Sequence, residues 1–138
     1  MANPFALGAL EPGERVLDVG SGAGMDSLVA VQMVEPGGRV TGVDMTAEML
    51  EKARRAAADM GAEQVQFVEG EAERLPFESG SFDVVISNGV IDLVPDKAAV
   101  YGEIFRVLAP GGRIQVADVT IQNPVSDEGR RNIDLWTG

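Results

Sequence analysis

The chain has 138 residues, 45% of them hydrophobic, with 17 glycines, no cysteine and no histidine. That suits one α/β domain with a real core and excludes disulfides, thiolate metal sites, cysteine nucleophiles and imidazole bases. Its 22 acidic against 11 basic residues give a net charge of −11, which argues against nucleic acid as a partner, because that affinity rests on Lys and Arg neutralising phosphates.

Runs rich in β-branched residues alternate with helical patterns, the signature of βαβ units and a parallel sheet. Strands are expected at 15–19, 39–43, 64–68, 82–86 and 113–117, and helices at 25–34, 47–60 and 97–108. Pro36-Gly37-Gly38, Gly61, Ser79-Gly80 and Pro110-Gly111-Gly112 punctuate them. The second helix has the clearest ends. Thr46 is its N-cap, Met45 and Leu50 form a hydrophobic staple, and Gly61 terminates it. Its apolar stripe is Met49, Leu50, Ala53, Ala57 and Met60, with Glu48–Lys52 and Glu51–Arg55 paired on the outer face. After Ala117 the chain turns polar, with a further helix start at Ser126. One domain is expected over 1–138, with its core at about 14–117 and with 118–138 a C-terminal extension or a truncated acceptor region. No strand is read after the fifth, leaving an open sheet edge through which two copies could pair as a homodimer. No apolar run reaches the ~18 residues of a membrane span, and no signal peptide is read, so the cytoplasm is the expected location.

The chemistry concentrates in VLDVGSGAG at 16–24. Gly20, Gly22 and Gly24 form G-x-G-x-G, shorter than the dinucleotide G-x-G-x-x-G. Glycine is needed where backbone takes positive φ or approaches a ligand, and such a loop, here including Ser21, brings N–H groups to a helix start, where they suit a carboxylate. The alternative is a tight turn without a ligand. Asp18, two residues before Gly20, would repel a pyrophosphate and accept from an ammonium, directly or through water. Asp44 ends the second strand, 20 residues after Gly24, where a carboxylate can accept from both ribose hydroxyls. Its alternative is an exposed loop acid or a helix N-terminal charge. Met45 follows directly.

In GEAERLPF, at 70–77, Glu71 can accept from an adenine amine while the Ala72 backbone donates to a ring nitrogen. Otherwise Glu71 and Glu73 are merely solvated. Ser87, Asn88 and Gly89 end the fourth strand. Asn88 orients the cofactor or an acceptor there, or simply caps the strand. Asp92 is a weaker candidate, and Tyr101 reads as helix packing. A nucleoside ligand carrying an ammonium and a sulfonium fits this set, and S-adenosylmethionine is such a ligand. No metal site is expected and no catalytic residue is assigned.

Taken in order, VLDVGSGAG, GVDMTAEMLEKAR, GEAERLPF, SFDVVISN and RVLAPGGRI resemble the class I, seven-stranded S-adenosylmethionine-dependent methyltransferases. The resemblance implies a Rossmann-like three-layer sandwich of order 3-2-1-4-5, here lacking the last two strands. It also implies cofactor contacts at Asp18, Gly20, Gly22, Asp44, Met45, Glu71, Ala72 and Asn88. GSGAGMDS, ISNGVIDLVPDK and DLWTG are similar to the arsenite methyltransferase branch. That branch binds trivalent arsenic through cysteine thiolates, one of them usually at the position of Gly89. With glycine there and no cysteine in the chain, soft arsenic has no ligand. The expected function is methyl transfer from S-adenosylmethionine to a small-molecule acceptor. The alternative is a catalytically incomplete module or fragment that binds S-adenosylmethionine or S-adenosylhomocysteine, favoured by the stop at Gly138. A nicotinamide oxidoreductase would need the longer glycine spacing, and Asp18 opposes its pyrophosphate.

Overall fold

The computed structural model describes residues 3–117. Its elements are β1 (Arg15–Val19), α1 (Met25–Val34), β2 (Arg39–Asp44), α2 (Ala47–Met60), β3 (Val65–Glu69), β4 (Phe82–Asn88), α3 (Lys97–Val107) and β5 (Leu108–Ala117), with short 3-10 turns at Pro4–Leu7 and Ile91–Leu93. The expected helix start at Ser126, and the whole of 118–138, lie outside the described residues.

The strands form one sheet of order β3-β2-β1-β4-β5, with every adjacent pair parallel. Valine and isoleucine dominate its centre because a parallel sheet is covered on both faces. Val16, Val40, Val84 and Ile86 meet Ala30, Val31 and Val34 of α1, while Leu50, Ala53 and Ala57 of α2 pack on Phe67 and Leu28. On the opposite face Leu17, Val19, Val43 and Val85 meet Val100, Tyr101, Ile104 and Val107 of α3. This is the expected three-layer sandwich. Register aligns Val19 with Val43 and Ser87, Asp44 with Glu69, and Asn88 with Ala117, so the carboxyl ends of all five strands share one rim. No helix among the described residues is long and apolar enough to cross a membrane.

The departures from expectation have local causes. β2 and β4 run on to Asp44 and Asn88 because ladder pairing with β3 and β5 continues there. β3 begins at Val65, one residue late. α3 stops at Val107, and β5 begins at Leu108 instead of after the Pro-Gly-Gly turn. The ladder slips between Phe82 and Val84 to absorb the extra residues. Gly111 takes φ +82 there, and a Cβ on Gly112 would lie 2.9 Å from the Ala109 carbonyl oxygen. α2 keeps its expected bounds, with Gly61 at φ +66. Thr46, however, makes no side-chain capping bond, and Met45 is 72% exposed, so no staple closes. Asp44 does the capping instead, its Oδ1 accepting from the Thr46 N–H at 2.9 Å. Of the two outer-face pairs, Glu51–Arg55 closes, at 3.4 Å.

Candidate functional site

A cavity of about 270 Å³ opens at the rim of strand ends, at the lower edge of the usual size for small-molecule sites. Val19 and Gly20 from β1 and its loop, with Val43 from β2, form its floor, and Asp44, Met45 and Thr46 one side. Gly70, Ala72 and Glu73 form another side, and Val90, Leu93 and Val94 an apolar wall. Among the described residues the lining contains no lysine or arginine.

The glycine loop is anchored on β2. The Val43 carbonyl accepts from the N–H groups of Gly20 and Ser21 at 2.8 and 3.0 Å, and Asp44 Oδ2 accepts from the Gly22 N–H at 2.8 Å. These three N–H groups, expected to face a ligand, are therefore turned inward. Met25, Asp26 and Ser27, in the first turn of α1, donate no backbone hydrogen bond among the described residues, so donors at the helix start are retained. Gly20, Gly22 and Gly24 all take positive φ. A Cβ at Gly20 would overlap Val90, and one at Gly24 would lie 2.9 Å from the Ala53 Cβ. Glycine here permits close packing as well as the turn.

Asp18 lies beneath this loop, 2% exposed, with Ser27 Oγ donating to its Oδ2 at 2.7 Å. Burial pushes its carboxyl up to about 7. The Ser27 hydrogen bond opposes the shift, and the charges of Asp26 and Asp44 add to it. Asp18 is thus a buried acid behind the loop and outside the cavity lining. Ser21 is buried beside Gly42, and its hydroxyl has no hydrogen-bond partner among the described residues.

Of the expected residues, Gly20, Asp44, Met45 and Ala72 meet in the cavity. Asp18, Ser21, Gly22 and Gly24 build the loop behind it. Glu71 is exposed and bridges back to Arg74, while its neighbour Glu73 reaches the lining. Asn88 ends β4, and its Nδ2 donates to Asp26 Oδ2 at 3.1 Å, directed toward α1. Ser87 Oγ donates to the Val19 carbonyl at 3.1 Å. Tyr101 is 7% exposed and stacks at a tilt on Phe105, 6.5 Å between centroids, which is the helix packing expected of it. Among the described residues no group of acids is placed to hold a metal ion. Sequence reasoning missed Asp26, Ser27, Glu73 and the Val90–Leu93–Val94 wall. The wall had a signal in VIDLV, whose apolar residues recur at helical spacing after a strand.

Residues 10–136 match the profile of a family described as a methyltransferase domain. An arsenite methyltransferase of Halobacterium salinarum is 48% identical over 136 residues, covering 99% of this chain and 35% of the relative. The solved structure of an arsenic(III) S-adenosylmethionine methyltransferase from Chlamydomonas reinhardtii superposes with TM-score 0.75 at 42% identity, covering 93% of this chain and 46% of that one. A SAM-dependent methyltransferase from Aquifex aeolicus shares the fold with TM-score 0.81 at 23% identity, covering 97% of this chain and 77% of that one.

Proposed function

The chain belongs to the class I, S-adenosylmethionine-dependent methyltransferase family and is related to its arsenite branch; from that premise we propose that it binds S-adenosylmethionine in the strand-end cavity and transfers its methyl group to a small-molecule acceptor. Asp44 carries this reading. Its carboxylate ends β2 at the cavity, each oxygen already holding one backbone N–H and each keeping a lone pair for a ribose hydroxyl. The adenine lies between Met45 and the Val94 side of the apolar wall, within reach of the Ala72 backbone and the Glu73 carboxylate. The methionyl end runs along Gly20 toward the open N–H groups of α1, where its carboxylate meets donors, with Asp18 and Ser27 buried behind the loop. A lining without lysine or arginine among the described residues disfavours a pyrophosphate and accepts a cation.

The bound cofactor supplies a methyl group made electrophilic by its sulfonium. This chain's residues position it and exclude water, since in-line methyl transfer depends chiefly on holding the reactants at near-attack distance. Val90 and Leu93 shield the loop side of the cavity, and Asn88, braced on Asp26, borders the acceptor side. None of these 138 residues offers a thiolate to a soft acceptor such as arsenic. The test is calorimetry with S-adenosylmethionine and S-adenosylhomocysteine, followed by labelled methyl transfer to acceptor mixtures. Binding of both with turnover is expected. Binding without turnover on any acceptor would replace the enzyme with a cofactor-binding module, and no binding would overturn the reading.

A further inference from the structure

The segment between β3 and β4 has neither strand nor helix, yet Gly70, Ala72 and Glu73 within it form one side of the cavity. Something outside it must hold its shape. Glu103 and Arg106 of α3 do so. Glu103 Oε1 accepts from the Leu75 N–H at 2.8 Å, and Arg106 Nη2 donates to the Leu75 carbonyl at 3.0 Å. Arg106 Nη1 donates to the Phe77 carbonyl at 2.8 Å and to Ser79 Oγ at 3.4 Å. The two side chains also bind each other, Arg106 Nε to Glu103 Oε2 at 2.8 Å and Nη2 to Oε1 at 3.1 Å. The Arg106 guanidinium, with the Leu75 N–H, holds the Glu103 carboxyl below the usual range, so the pair is ionised at neutral pH.

Pro76 sits between the two clasped residues, and its ring approaches Gly70 closely. A Cβ at Gly70 would lie only 2.9 Å from Pro76 Cδ. A shift of the backbone at 75–77 is therefore transmitted straight to the cavity wall. We infer that the Glu103–Arg106 pair is a positioning clasp that sets the adenine-recognising face of residues 70–73, an inference that rests on the S-adenosylmethionine reading of the cavity. A lysine cannot replace Arg106, because it lacks the planar fork that reaches Leu75, Phe77 and Glu103 together.

The test compares Arg106→Lys and Glu103→Gln with Arg113→Lys. The last breaks a similar forked ion pair, Glu14–Arg113, whose residues do not line the cavity. Calorimetry would follow S-adenosylhomocysteine and its inosine analogue, and amide hydrogen exchange would follow residues 70–77. In Arg106→Lys, S-adenosylhomocysteine affinity should fall roughly tenfold, the scale of lost preorganisation of one or two groups. The preference for adenine over hypoxanthine should narrow, and exchange at 70–73 should quicken. Glu103→Gln should move the same way, while Arg113→Lys should leave affinity and preference unchanged. Wild-type binding with no change in Arg106→Lys would overturn the clasp alone. A wild-type chain that binds neither compound would overturn the parent reading and the clasp with it.

Discussion

Asp44 illustrates how much one carboxylate can carry. Its oxygens hold the Gly22 and Thr46 N–H groups, so it shapes the glycine loop and caps α2 before any ligand arrives. Asp44→Ala should weaken S-adenosylmethionine binding by about 1.5–3 kcal/mol, the usual worth of hydrogen bonds to a charged group. Asp44→Asn should be nearly as damaging, because both partners are donors and the amide offers only one acceptor atom. Unchanged calorimetric affinity in folded mutants would remove the ribose role. Asp18 makes a second prediction. Its folded carboxyl titrates at about 7 against an ordinary value of 3.8, so between those values the folded state holds the extra proton. Stability contributed by the protonated form is then lost as pH rises from about 4 to 7 and levels off above. Glu14, Asp83 and Glu103, all lowered by arginine partners, lose stability only as pH falls below the ordinary carboxylate range. Melting temperature against pH should therefore slope downward between pH 5 and 7 in the wild type and flatten in Asp18→Asn. A slope that persists in the mutant would place the titration elsewhere.

At the scale of elements, the legible parts were those set by local signals. The ends of β1, α1 and α2 follow from Arg15, Gly24 and Gly61, where charge or positive φ punctuates the chain. That Gly20, Asp44, Met45 and Ala72 come together at one cavity was readable because their motifs follow strand ends. The rest depends on pairing across the sheet or on packing between distant segments. The start of β5 depends on a ladder slip opposite Phe82. The Asn88–Asp26 bond joins residues 62 positions apart, and a turn closed between Glu71 and Arg74 accompanies the exchange of Glu71 for Glu73 at the cavity. The apolar wall has a signal in VIDLV, but the close approach of Val90 to Gly20 depends on packing between distant segments. That contact is testable. Gly20→Ala would both force an L side chain to φ +74 and overlap Val90, at a cost of about 2–4 kcal/mol in strain and overpacking. Pairing it with Val90→Ala should recover the overlap part but not the backbone part. Denaturant unfolding of the four-member cycle reads that coupling, and strict additivity would show that Val90 does not rest on the loop.

For the whole molecule, the question is whether an excess of 11 negative charges reaches the site or merely keeps the chain dispersed. The ligand pair separates the two. S-adenosylmethionine carries one net positive charge and S-adenosylhomocysteine none, while their nucleoside and amino-acid parts are the same. Contacts at Asp44, Ala72 and the apolar wall therefore cancel in the ratio of their affinities, leaving the charge. Part of that charge preference is local, from Asp44 at the cavity and the half-buried Asp26 near the loop, and salt screens close pairs little. The remainder comes from carboxylates spread over the surface, and it should fade as the Debye length shrinks from over 20 Å at low salt to ~3 Å at 1 M. The preference for S-adenosylmethionine should thus fall by roughly three- to tenfold across that range, the modest end of long-range focusing in clefts of one sign. S-adenosylhomocysteine affinity should barely move. A preference independent of salt would assign the whole effect to the acids at the loop, and surface acidity would then have no part in choosing the ligand.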